Sequence, residues 1–162
     1  MENRRRVSDL IPIEPHSIPS DRRITSSRAW REVGDVMSRE VMVVSSSATI
    51  VAAARTMAEK DVSCLVVQDE GEVVGIVTET DFLNRGVGKN ADLPGVRVAE
   101  IMSSPTQTIG PELSVFDASK VMDEQRVKRL PIVDRGRLGG IVTQTDLVRA
   151  LTACPMTLYV YY

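Results

Sequence analysis

Histidine occurs once in the 162 residues, at His16, and cysteine twice, at Cys64 and Cys154. A catalytic triad needs a His with an acidic partner, and a zinc site needs several ligands at close spacing. His16 lies in a Pro-rich stretch with no Cys or acidic cluster around it. Two cysteines make no disulfide framework, and Cys64, inside an apolar run, reads as a small buried hydrophobe. Aromatics are as scarce: Trp30, Phe82, Phe116, Tyr159, Tyr161 and Tyr162 complete the set. The core therefore falls to Val, Ile, Leu, Met and Ala, and the stacking platforms of a single-strand nucleic-acid binder are missing. A formal net charge of −2 gives no electrostatic reason to expect nucleic acid either. No apolar run approaches the roughly 18 residues of a membrane span, and the N-terminus lacks the apolar stretch of a signal peptide. The expectation is a cytoplasmic chain with no membrane partner.

What is present suits a globular fold, with 43% hydrophobic and 26% charged residues. Residues 1–30 stand apart. Arg4-Arg5-Arg6 precedes Ile11-Pro12-Ile13-Glu14-Pro15-His16-Ser17-Ile18-Pro19, whose prolines forbid a helix or a central strand, so this is an extended N-terminal arm. Regularity begins at Val33. Val33-Gly34-Asp35-Val36-Met37 reads as a helical turn and Val41-Met42-Val43-Val44 as a short strand. Thr49 is a helix cap, and Ile50, Ala53, Ala54, Met57 and Ala58 form one face of an amphipathic helix ending near Lys60. Cys64-Leu65-Val66-Val67 is an apolar strand, Asp69-Glu70-Gly71-Glu72 a turn, and Val73-Val74-Gly75-Ile76-Val77 the returning strand. A second helix opens at Thr78 and runs through Phe82 and Leu83. The unit is β-α-β-β-α.

It is then written again. Val98 to Ala150 matches Val33 to Arg85 at a constant offset with no gap, and about 16 of roughly 53 aligned pairs are identical, beyond what shared propensities produce. The matches include Met37/Met102, Ala53/Ala118, Met57/Met122, Leu65/Leu130 and Gly71/Gly136. The densest match is Gly75-Ile76-Val77-Thr78-Glu79-Thr80-Asp81 against Gly140-Ile141-Val142-Thr143-Gln144-Thr145-Asp146. The domain reading is a first repeat over residues 31–88, a Gly/Pro-rich linker over 89–96, a second repeat over 97–152 and a tail over 153–162. Met37 and Met102 are expected to plug the interface between the repeats.

The repeated heptapeptide carries a strand straight into a helix start. Unpaired N–H groups and the positive dipole end there suit a phosphate. The hydroxyls of Thr78, Thr80, Thr143 and Thr145 add donors, and the carboxylates of Asp81 and Asp146 can accept from both hydroxyls of a ribose. The same residues also satisfy a plainer pattern. Thr at the cap with Asp three positions on is a capping box that needs no ligand. Neither aspartate has a catalytic partner, so no enzyme is expected.

The Asp-Val-Met-Ser lead-in, the Val-x-x-Leu-x-Val-x-Asp-x-Gly centre and the Gly-Ile-Val-Thr-x-Thr-Asp exit resemble the CBS domain, and the pair resembles the two-copy Bateman module. The likeness spans about residues 33–151. It implies an α+β (α/β-like) fold, two β-α-β-β-α repeats packed about a pseudo-two-fold axis. It further implies a regulatory module binding AMP, ADP, ATP or S-adenosylmethionine in the clefts between repeats, with no cofactor, pairing into a homodimer and serving a regulated protein partner. Carried over, one site comprises Thr143, Thr145 and Asp146, with Ile141 beside the base, Arg129 and Lys128 toward phosphates, and Met42 and Val62 against the adenine. The symmetric site comprises Ile76, Thr78, Thr80 and Asp81, with Gln107 and Val127 across the cleft. Ser63 and Cys64 stand where the second repeat has Lys128 and Arg129, so the sites are expected to be unequal, with phosphate favouring the second. The competing reading is a structural dimerisation or docking module with empty clefts.

Overall fold

A computed structural model of the chain describes residues 31–89 and 93–152. The N-terminal arm, part of the linker and the C-terminal tail expected from the sequence lie outside the described residues. Strand β1 (Val43–Val44) leads to helix α1 (Ile50–Lys60), which starts where Thr49 Oγ1 accepts from the Ala52 N–H at 3.2 Å. Asp61 ends the helix in the left-handed region at φ 52°, its N–H returned to Met57 O. Strands β2 (Cys64–Asp69) and β3 (Glu72–Thr78) form an antiparallel hairpin. The second repeat copies it with β4 (Arg129–Asp134) and β5 (Arg137–Thr143). Both hairpins turn on two successive positive φ values, Glu70 51° with Gly71 88° and Arg135 48° with Gly136 78°. That pair of conformations is what a two-residue turn between right-twisted strands requires.

Helix α4 (Val115–Glu124) repeats α1, capped by Ser114, whose Oγ accepts from the Asp117 N–H at 3.0 Å. The helices after the hairpins differ. In the first repeat α2 (Glu79–Asp81) passes at once into a wider π turn over Phe82–Val87, whereas α5 (Gln144–Thr152) is regular. Gly86 and Gly88 are weak helix formers, and they stand where the second repeat has Leu151 and Ala153. Helix α1 buries Ile50, Ala53 and Met57. Ala54 and Ala58, expected on that face, are exposed and border a groove of about 730 Å³ facing Phe82 and Leu83. The π turn does not close over them.

Strand β1 runs parallel to β2 and is two residues long rather than the four expected, with Val66 N–H donating to Met42 O at 3.0 Å. Its counterpart in the second repeat makes a single bridge, Ile109 to Ile132. The reason is Pro131, which replaces Val66 and has no N–H to give. The first sheet consequently has three strands and the second two.

The repeats exchange their leading segments. Val33 N–H donates to Leu113 O, Gly34 N–H to Pro111 O, and Val115 N–H to Arg31 O. The same three bonds recur with roles reversed, Val98 to Ala48, Ala99 to Ser46 and Ile50 to Val96. Ser38 pairs with Ile141 on β5 and Ser103 with Ile76 on β3. This reciprocity is the mark of a two-fold relation, here internal to one chain. Val33 accordingly completes the core of the second repeat with Val115, Leu130 and Val142, and Met37 packs against it. Val98 and Ile101, the two ends of the short helix α3 (Val98–Ile101), complete the core of the first with Leu65 and Val77. A smaller cluster of Val66, Ile76 and Ile141 lies between the sheets.

Candidate functional site

Each strand-to-helix junction is built from its own sequence. Asp81 Oδ2 accepts the Thr78 N–H at 2.9 Å and the Thr78 hydroxyl at 2.7 Å, while Thr78 Oγ1 faces the Asp81 N–H at 3.4 Å. The second copy is nearly superposable: Asp146 Oδ2 accepts the Thr143 N–H at 2.9 Å and its hydroxyl at 2.6 Å, with the Asp146 N–H 3.3 Å from Thr143 Oγ1. The capping box is therefore formed at both junctions, and it engages both Thr hydroxyls and one oxygen of each carboxylate. The first helical N–H is also taken, Glu79 by Ser63 O and Gln144 by Lys128 O.

The second junction opens on a cleft of about 440 Å³ between the repeats. Its wall gathers Ile141, Thr143, Thr145, Lys128 and Arg129 from the second repeat with Met42 and Val62 from the first. Those are seven of the eight residues expected there, and Asp146, held behind Thr143, is the eighth. That size is within the range of small-molecule sites. Thr145 is exposed on the wall, and Ile141, buried, forms part of the floor. Arg129 crosses the cleft and donates from Nη2 to Ser63 Oγ at 2.6 Å. A cation thus bridges the repeats across this cleft. Glu40 and Asp61 on the same wall balance Lys128 and Arg129, so the cleft is polar at its mouth without being strongly basic.

Sequence reasoning placed Ser63 and Cys64 only as missing cations of the other site. The structure puts both on this wall. The signal that could have found them is the exchange of neighbours across a two-fold, which brings the start of β2 against the start of β4. Burial pushes the Cys64 thiol above its ordinary value; Arg129 opposes that rise and Glu79 adds to it.

The residues assigned to the first junction are spread differently. Ile76 is buried against Ser103, Thr80 is exposed, and Asp81 is buried. Gln107 is exposed, its Nε2 turned to Thr108 O at 3.1 Å. Val127 borders a separate hollow of about 320 Å³ with Leu147, Val148 and Leu151 of α5. The methionines expected to plug the interface do so: a Cβ on Gly140 would stand 2.5 Å from Met37 Sδ, and one on Gly75 would stand 2.9 Å from Met102 Sδ.

Two interlocked α+β repeats with a cleft between them define a class of paired-repeat modules. A family model of the CBS domain matches residues 33–88 and 98–153, and the chain belongs to that family as a tandem pair. CBS-domain proteins are generally non-catalytic regulatory modules. The chain is 36% identical over 119 residues to an uncharacterised protein of Methanopyrus kandleri, covering 72% of this chain and 61% of that one. It therefore spans less than two thirds of that relative. A putative signal-transduction protein with CBS domains from Burkholderia ambifaria has a similar structure (TM-score 0.67, 29% identity, 76% of this chain and 90% of that one). So does a hexameric CBS-CP12 protein from bloom-forming cyanobacteria (TM-score 0.71, 29% identity, 80% of this chain and 78% of that one). Among the described residues no helix is long and apolar enough to cross a membrane.

Proposed function

We propose that the chain is a cytoplasmic, non-catalytic sensor that binds an adenosyl ligand (AMP, ADP, ATP or S-adenosylmethionine) in the cleft at Thr143, Thr145 and Asp146, and so regulates a protein partner. The observation that carries this reading is the convergence of Ile141, Thr145, Lys128 and Arg129 with Met42 and Val62 on one cleft wall. The apolar residues suit a purine and the cations suit phosphates. The Arg129–Ser63 bond supplies a switch. A phosphate that draws Arg129 away breaks a bridge between repeats, so ligand affinity differs between bridged and unbridged states, as a population shift requires.

The test is titration calorimetry with AMP, ATP and S-adenosylmethionine, backed by thermal unfolding. At a hundredfold excess over Kd, a ligand specific for the folded state stabilises it by about 2.7 kcal/mol. Arg129→Met weakens the phosphate-bearing ligands more than S-adenosylmethionine. Absence of heat and of thermal shift with all three overturns the reading.

A second reading concerns assembly. Apart from Val43, the exposed large hydrophobics among the described residues lie on or beside two helix pairs: Val51, Leu83 and Val87 at one end, Phe116, Val127, Val148 and Leu151 at the other. Two apolar faces related by the internal two-fold suit a homodimer closed by both. The hexameric state of the cyanobacterial CBS-CP12 protein supports assembly in this architecture.

A further inference from the structure

Arg85 ties the first junction to the second repeat. Its Nη1 lies 3.4 Å from Asp81 Oδ1. The same atom is 3.0 Å from Ile101 O, 3.0 Å from Met102 O and 3.4 Å from Ser103 Oγ. The last carbonyls of a helix have no partner within it, so the guanidinium caps the end of α3 while pairing with the aspartate. Asp81 Oδ2 is already taken by the Thr78 N–H and hydroxyl. Both carboxylate oxygens are thus engaged, and the residue is only 9% exposed.

The second repeat lacks this arrangement. Ala150 occupies the position of Arg85 and is buried in the core at 7% exposure. Among the described residues no cation pairs with Asp146, and its Oδ1 faces no such partner. A ribose needs a carboxylate with acceptor capacity to spare for two hydroxyls. At Asp81 those hydroxyls would have to displace a guanidinium that also holds two carbonyls of the other repeat. The wall opposite is looser as well, since Pro131 gives Gln107 no counterpart of the Val66–Met42 bond.

We propose that Arg85 withdraws Asp81 from ligand binding and converts the first junction into a clamp between the repeats, leaving one ligand-competent junction per chain. The count of sites rests on the adenosyl-ligand reading above, whereas the clamp rests on Arg85 alone. The experiment has two arms on the full chain. In calorimetry with AMP, ATP and S-adenosylmethionine the wild type takes up one equivalent per chain, Asp81→Asn leaves that affinity unchanged, and Arg85→Met adds a second, weaker site. Two equivalents in the wild type, loss of binding in Asp81→Asn, or no second site in Arg85→Met overturns the assignment of Asp81. In the second arm, thermal unfolding is measured for Asp81→Asn, Arg85→Met and the double variant, without ligand. Each single variant lowers Tm, and the double variant falls by less than the sum of the two, because the shared pair is lost only once. Additive losses overturn the clamp. If no protein binds any of the three compounds, the adenosyl reading fails and the clamp is judged by the second arm.

Discussion

Gly140→Ala is the sharpest probe of how the repeats interlock. The added methyl would sit 2.5 Å from Met37 Sδ, 3.0 Å from Met37 Cγ and 2.9 Å from Ser38 O. The thioether can swing away, but Ser38 O cannot, because it accepts the Ile141 N–H at 2.9 Å while the Ser38 N–H donates to Ile141 O at 2.9 Å. Overpacking of this kind costs about 1–3 kcal/mol. Displacing the leading segment adds the loss of two backbone bonds at roughly 1 kcal/mol each. The expected loss is therefore about 3–5 kcal/mol, or about 9–15 °C in Tm for a chain of this size. Guanidinium and thermal unfolding followed by circular dichroism measure it. Gly139→Ala is the control on the same strand, since its methyl would meet nothing closer than Ile132 O at 3.7 Å. It should be neutral or stabilise by up to about 1 kcal/mol through the unfolded chain. Adding Met37→Ala to Gly140→Ala should recover only part of the loss, because Ser38 O remains. A loss below about 0.5 kcal/mol in Gly140→Ala, or one equal to that of Gly139→Ala, would refute the idea that this segment is pinned against β5.

Asp69 gives a pH signature: hydrogen bonds from Ser46, through side chain and backbone, and from Ser45 hold its carboxyl below the ordinary 3.8. With the folded value depressed, the contribution to stability is present above the unfolded value and is lost as pH falls through the folded one. A carboxyl NMR titration should place Asp69 below 3.8 and move it upward in Ser45→Ala/Ser46→Ala, and a wild-type value at or above 3.8 refutes the network. For assembly, Leu83→Glu combined with Val148→Glu should shift sedimentation from dimer to monomer with the fold intact. An unchanged sedimentation coefficient would remove both helix faces from the interface.

Much of the fold could be read locally. Thr49 and Ser114 as caps, the two-residue turns at Gly71 and Gly136, and the tandem units all follow from short-range rules about hydroxyls, positive φ and period. The cleft residues Ile141, Thr143, Thr145, Lys128 and Arg129 follow from the likeness to the CBS domain, carried over position by position, and the comparison of the copies adds only that the two junctions differ. What stayed hidden lies in pairs distant along the chain. Nothing local says that Val33 completes the core around Leu130, or that Ser63 receives Arg129. The Asp81–Arg85 ion pair has the spacing of a helical neighbour pair, yet its reach to the carbonyls of α3 depends on where the second repeat docks. Pro131 is legible in the sequence alone. Its missing N–H shortens the counterpart of β1, a consequence of one residue type that needs no coordinates to foresee.

The exchanged leading segments bear on ancestry. A single-copy forerunner of this sequence would have had no second repeat to hold its Val-x-x-x-Met lead-in, and its own core would have lacked the cover that Val33 and Val98 now supply crosswise. On this geometry such a forerunner closes its core only by trading that segment with another molecule. Carrying both copies in one chain makes that exchange internal, and each copy is then free to differ from the other. Ala150 at the position of Arg85, and Pro131 at the position of Val66, show how far the copies have come to differ.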